Sequence, residues 1–194
     1  MPIIIVSGHT RKVGKTTVVA GLIKAFSEYP WIALKVSTHW HSKSSSGEGL
    51  VIYEEKNVGQ ESDSSRFLDA GAKRSFWVQI QECRMESMMP QLQPILQSSP
   101  FVIIEGNNIL KHVSADIHIM VANCNLAEIK ESARRLLDQL DILLVINSKS
   151  SLFSWKNVLG NSPKGISLFE TQDPQILPPA FLSLIRSRIL SIPR

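Results

Sequence analysis

The chain has 194 residues, 43% of them hydrophobic and 20% charged, and a formal net charge of +4. That length supports one domain with a sizeable core, and the composition is that of a globular protein rather than a fibrous or low-complexity one. The charge is too modest and scattered to argue for specific nucleic-acid binding, and no apolar run approaches the roughly 20 residues of a membrane helix. The N-terminus has no basic segment of a signal peptide, and Cys83 and Cys124 show no pairing pattern, so a reduced cytoplasmic protein is expected.

Ile3-Ile4-Ile5-Val6 reads as a strand buried on both faces. The stretch that follows, "VSGHTRKVGKTT" from Val6 to Thr17, nearly spells a phosphate-binding loop. The standard loop places four residues between its first glycine and its Gly-Lys-Ser/Thr end. Here five residues, His9 to Val13, separate Gly8 from Gly14. Val19, Leu22, Ile23 and Phe26 then recur at helical spacing, which supplies the strand-loop-helix context that the motif requires. Gly14 lets backbone approach a phosphate, and the amides from about Lys12 through Val13 and Gly14 to Thr17 can form an anion nest at a helix N-terminus. Lys15 is expected to reach the terminal phosphates, and the Thr16 hydroxyl to bind Mg²⁺. The longer arch leaves the Gly-Lys-Thr end intact.

Trp31 to Val36 reads as the second strand, followed by a Ser/Gly-rich loop, "STHWHSKSSSGEG". Val51-Ile52-Tyr53 is a short strand or part of that loop. A helix is expected from Ser64 to Ala70 with Gly71 ending it, then a strand over Phe76 to Ile80. Glu82 to Gln97 suggests a helix disturbed by Pro90 and Pro94. Strands follow at Phe101–Ile104 and Asp116–Val121, then an amphipathic helix from about Leu126 to Leu140. Ile142–Ile146 is another strand, Ser148 to Gly165 is looser, Ile166–Phe169 is a strand, and Pro178 to Leu190 is helical. Strands alternating with helices predict an α/β fold of the P-loop NTPase kind, a mostly parallel sheet covered on both faces, in one domain spanning the chain.

Ligands of such sheets gather at the carboxyl ends of the strands. Glu105, after four apolar residues and before Gly106, either occupies the position of an acid that holds Mg²⁺ directly or through water or is a surface carboxylate at a strand end. Asp63 is either a second metal acid or the cap of the helix beside it. Lys35 at the end of the second strand either neutralises phosphate or extends to solvent. Asn147 and Lys149 are candidates for contact with the base, but there is no Asn-Lys-x-Asp guanine signature, so GTP and ATP both remain open. His39 and His41 have no third ligand in view and make a weak zinc site; a solvated loop, or a loop that closes over substrate, fits them better.

Several pieces resemble the accessory GTP-binding protein of molybdopterin-guanine dinucleotide biosynthesis, the MobB-like family. They are "GKTT" at 14–17, "LKVSTHWH" at 34–41, "DSSRFLDAGA" at 63–72 and "FVIIEG" at 101–106. The resemblance implies that Gly14, Lys15, Thr16 and Thr17 bind phosphates and Mg²⁺, and that Lys35, His39, Asp63, Arg66 and Glu105 line the rest of the site. It also implies slow NTPase activity in which Lys15, Glu105 and Asp63 act, a guanylyltransferase partner, and a homodimer. The chain departs from the family in its longer loop, which is similar to that of dethiobiotin synthetase, and in "EGNN", which lacks the aromatic-lysine pair after Glu-Gly. Alternatives are therefore an ATP-dependent ligase or kinase, or a regulatory protein that binds nucleotide without turnover.

Overall fold

A computed structural model describes residues 1–38, 50–126, 129–146 and 165–192. His39, His41, Asn147 and Lys149, with most of the Ser/Gly-rich loop and the stretch after the seventh strand, lie outside them.

Among the described residues, eight strands form one sheet: β1 (Ile3–Gly8), β2 (Trp31–Ser37), β3 (Leu50–Glu55), β4 (Arg74–Ile80), β5 (Phe101–Glu105), β6 (Ile117–Asn123), β7 (Ile142–Ile146) and β8 (Ser167–Thr171). Their spatial order is β3-β4-β2-β5-β1-β6-β7-β8. Every pair is parallel except β3 with β4. Among the described residues the α-helices are α1 (Lys15–Ala25), α2 (Asp63–Asp69), α3 (Met85–Gln97), α4 (Glu131–Arg134) and α5 (Pro179–Ser191). No helix among the described residues is long and apolar enough to cross a membrane.

The period-two alternation of strand side chains divides the core into two layers. Ile4 and Val6 of β1, Trp31 and Ala33 of β2 and Ile103 of β5 face α1, α2 and α5, where they meet Val19, Leu22, Ile23, Phe67, Phe181 and Ile185. Ile5, Ile32, Leu34, Val102 and Ile104 face the other way, onto Met88 and Leu92 of α3 and Ala133 of α4. By the same alternation Lys35, two residues beyond Ala33, and Glu105, two beyond Ile103, point to the α1/α2 side.

Several local expectations are refined by backbone chemistry. Val51–Tyr53 belongs to a true strand, antiparallel at the sheet edge. Helix α2 is capped by the Ser62 hydroxyl, which accepts from the Ser65 amide at 3.1 Å. Its C-terminus closes on Gly71 at φ 105°, where the Gly71 amide donates to Leu68 and that of Ala72 to Phe67. This paired return is the Schellman arrangement, which favours glycine. Pro90 and Pro94 sit inside a continuous α3 rather than breaking it. Both are on the exposed side, so water can take the carbonyls they leave unpaired.

The helix expected over Leu126–Leu140 is not formed as such. Among the described residues there are the four-residue α4 and a separate 3₁₀ turn at Leu137–Gln139. Lys130 is extended (φ −62°, ψ 145°), and its amide donates to the His9 carbonyl at 3.0 Å. The Leu126 carbonyl bonds the His9 ring at 3.0 Å. Both groups thus brace the β1–α1 loop instead of a helical ladder.

Candidate functional site

The site assembles where the chain, having left β1 toward β2 through α1, later returns on the other side of β1 as β6. A crevice opens at such a reversal, beyond the carboxyl ends of the strands. Here it is a cleft of about 600 Å³, the size of a small-molecule pocket. Gly8 to Thr17 form one wall, apart from the buried His9. Lys35 to Thr38, Asp63, Arg66 and Glu105 to Asn108 line the rest, with Lys130 and Ser132.

The loop between β1 and α1 is held open from below. Val13, 1% exposed, plugs its base. Lys12 adopts a left-handed φ of 57° and Gly14 one of 92°, the alternation of backbone hands that turns successive amides toward a common point. A side chain on Gly8 would meet Val13 Cγ2 at 2.7 Å and Lys15 Cδ at 2.9 Å, so only glycine fits there. No side chain caps α1, which leaves its first amides for an anion. Lys15 turns its ammonium back onto the Thr10 carbonyl at 3.2 Å. Burial lowers its pKa, and the Lys35 and Lys130 charges add to this against the opposing pull of Glu105 and Asp63. An anion in the loop would relieve that penalty.

Beside the loop lies a compact ionic cluster. The β2–β5 register sets Lys35 directly next to Glu105. The Lys35 ammonium donates to Glu105 Oε1 and lies 2.9 Å from Asp63 Oδ2. Thr16 Oγ1 donates to Glu105 Oε2 at 2.8 Å. Glu105 is 1% exposed, so the carboxylate depends on these partners. Burial disfavours the Lys35 charge, but Glu105 and Asp63 more than offset it, and the lysine is held above its ordinary pKa. Asp63 likewise pays for desolvation but is lowered overall, chiefly by Lys35. Arg66 completes the wall, donating to Thr17 Oγ1 at 3.1 Å and approaching Asp63 to 4.0 Å.

Of the residues singled out in the sequence, Lys12 to Thr17, Lys35, Asp63, Arg66 and Glu105 all line this cleft. Asp63 does not cap α2; Ser62 does, which frees the carboxylate to meet Lys35. Asn107 was not foreseen. Its side chain accepts from the Gly8 amide at 3.0 Å and donates to the Gly8 carbonyl at 2.8 Å, tying the start of the loop to the end of β5. Its only signal in sequence was the place of "EGNN" after an apolar strand. Lys130, at the end of the β6–α4 connection, and Ser132, in α4, reach the cleft where no motif marks them. No group of three or more His, Cys, Asp or Glu among the described residues could hold a metal alone. The donor set of one hydroxyl and two carboxylates does fit Mg²⁺, which keeps several waters and takes phosphate oxygens as ligands.

HypB from Helicobacter pylori, solved in complex with nickel, superposes at a TM-score of 0.50 with 16% identity, over 96% of this chain and 85% of that one. The fold is that of a P-loop NTPase. A MobB homologue from Bacillus stearothermophilus aligns over 99% of this chain and 100% of its own, with 12% identity and a TM-score of 0.48. MobB from Bacillus subtilis does so over 97% and 98%, with 15% identity and a TM-score of 0.47. No family model matches the chain, and no curated protein matches it in sequence.

Proposed function

We propose that this chain is a Mg²⁺-dependent purine-nucleotide-binding protein that slowly hydrolyses GTP or ATP, acting beside a guanylyltransferase in molybdopterin-guanine dinucleotide assembly. The observation that carries the nucleotide reading is the meeting of Thr16, Glu105, Lys35 and Asp63 at the mouth of an uncapped helix that opens on a glycine-lysine loop. The cofactor pathway rests on the motif resemblance from "GKTT" to "FVIIEG". A homodimer and a single functional domain belong to the same proposal.

In this reading the amides from Lys12 to Thr17 hold the phosphates, and Lys15 leaves the Thr10 carbonyl to pair with their oxygens. Asn147, outside the described residues, contacts the base. Thr16, Glu105 and Asp63 hold Mg²⁺, which when bound neutralises charge on the terminal phosphates. Glu105 and Asp63 also orient the attacking water. The protein's contribution is positioning and fixed charge rather than covalent chemistry.

A second reading, phosphoryl transfer to a small acceptor as in a ligase or kinase, is favoured by one feature. The cleft continues past the phosphate loop to the neutral polar groups of Ser37, Thr38 and Asn108. Thermal shift against GTP, ATP and their diphosphates, each with and without Mg²⁺, followed by phosphate release and product analysis, tests both readings. A ligand at 100 times its dissociation constant adds about 2.7 kcal/mol, which raises Tm by roughly 5–10 °C in a chain this size. Absence of any nucleotide-dependent shift refutes the proposal, and phosphate release without an acceptor decides for hydrolysis.

A further inference from the structure

Lys35 occupies the oxygens that a divalent cation would need. Its ammonium is bonded to Glu105 Oε1 and lies 2.9 Å from Asp63 Oδ2, one oxygen of each proposed metal acid. Thr16 donates to the other Glu105 oxygen, Oε2, and can keep that bond while the lone pairs of its own oxygen face a metal. Among the partners of Glu105, Lys35 is therefore the one that must yield. It is also the one able to move cheaply. Its Cα is fixed in the centre of the sheet, paired with Glu105 on β5 and Trp77 on β4. The side chain, 20% exposed, reaches the cleft through four rotatable bonds. Only a rotamer change is required, which is fast and leaves the backbone in place.

We propose that Lys35 is a resident counter-ion that keeps divalent cations off Glu105 and Asp63 until a nucleotide's phosphates draw its ammonium away. The inference rests on the reading of this cleft as a Mg-nucleotide site and names how that site is regulated. Without nucleotide, a metal would have to displace a paired ammonium or sit beside it, and either course is costly in a partly buried cluster. With nucleotide, the phosphates offer Lys35 a new anionic partner and supply the metal with oxygen ligands at the same moment. Nucleotide and metal then bind with positive coupling, and the coupling is reciprocal by linkage. The device would prevent the carboxylates from holding free Mg²⁺ in the idle protein.

The test is Mn²⁺ binding by electron paramagnetic resonance, with Mn²⁺ as the Mg²⁺ probe, on wild type, Lys35→Met and Lys35→Gln, each checked for folding by circular dichroism. Without nucleotide, wild type should bind Mn²⁺ weakly, and both variants should bind at least about tenfold more tightly, since a like charge has been removed from contact distance. Equal Mn²⁺ affinity in wild type and a folded variant overturns the proposal. Tight Mn²⁺ uptake by nucleotide-free wild type overturns it whatever the variants do. A separate arm adds GTP or ATP to wild type, where Mn²⁺ affinity should rise about tenfold or more, over and above the metal's affinity for free nucleotide. Nucleotide that fails to bind at all, measured by calorimetry with Mg²⁺ present, refutes the nucleotide reading. The comparison of wild type with the variants still judges Lys35 on its own.

Discussion

Asn107→Ala should loosen the phosphate loop at its first residue. The wild-type amide makes two hydrogen bonds to one backbone unit, accepting from Gly8 N at 3.0 Å and donating to Gly8 O at 2.8 Å. Alanine removes both. A typical intramolecular hydrogen bond contributes about 0.5–1.5 kcal/mol, and a buried group left unpaired costs about 1–3 kcal/mol. Gly8 is buried but the Asn107 contacts are only part-buried, so water can replace part of the loss. A total near 2 kcal/mol follows, lowering Tm by roughly 4–8 °C. Asn107→Asp separates the bonding from the volume. A carboxylate can still accept from the Gly8 amide, but it faces the Gly8 carbonyl with a charge and no donor. It should be at least as destabilising as alanine at neutral pH. Urea unfolding of the three proteins, paired with nucleotide calorimetry, measures both effects. Stabilities of Asn107→Ala and wild type within 0.5 kcal/mol, about the spread expected of unremarkable surface substitutions, would refute the idea that this side chain braces the loop.

Lys15→Ala should abolish Mg-nucleotide binding by calorimetry while leaving Tm unchanged or slightly raised, because burial and two neighbouring cations oppose the lysine's charge in the ligand-free fold. Unchanged affinity in the folded variant would sink the nucleotide assignment. Glu105→Gln should lower Mg²⁺-dependent phosphate release by tenfold or more, since the amide keeps the shape but loses the charge facing the metal; equal turnover leaves Glu105 a structural partner of Lys35 and Thr16. His118 is 1% exposed, bonds Ser7 Oγ at 2.7 Å, and is pushed down to about 4 by burial. Its unfolded value of about 6.5 is higher, so the unfolded chain binds the extra proton and stability drains away as pH falls from 6.5 toward 4. The loss attributable to this group is about 3 kcal/mol, and urea midpoints of His118→Gln across that window should slope less steeply than those of wild type.

Much of this protein is written locally in the chain. Four branched aliphatic residues in β1 can only be satisfied inside a covered sheet, and a glycine-lysine loop before an amphipathic helix places the proposed phosphate site at the end of that strand. Gly71 marks the end of α2 because only a residue free of Cβ strain readily takes a φ of 105°. Other features depend on partners that are distant in sequence. Pro90 and Pro94 suggested a disturbed helix, but the side of α3 on which they fall is set by how it packs against the sheet. The periodic stretch from Leu126 to Leu140 has the pattern of one long helix, yet the Leu126 carbonyl and the Lys130 amide are claimed by His9, just past the neighbouring strand β1, and α4 starts only at Glu131. Asp63 could be read as a cap or as a site acid from its neighbours alone; Ser62 takes the cap, and the Asp63 carboxylate meets Lys35 instead. The ionic cluster is the clearest case. Lys35, Asp63 and Glu105 carry no mutual spacing rule, because their meeting depends on β5 inserting between β1 and β2. Strand order and register are long-range choices, fixed by the packing of both sheet faces, and they are what turn three scattered charges into one site.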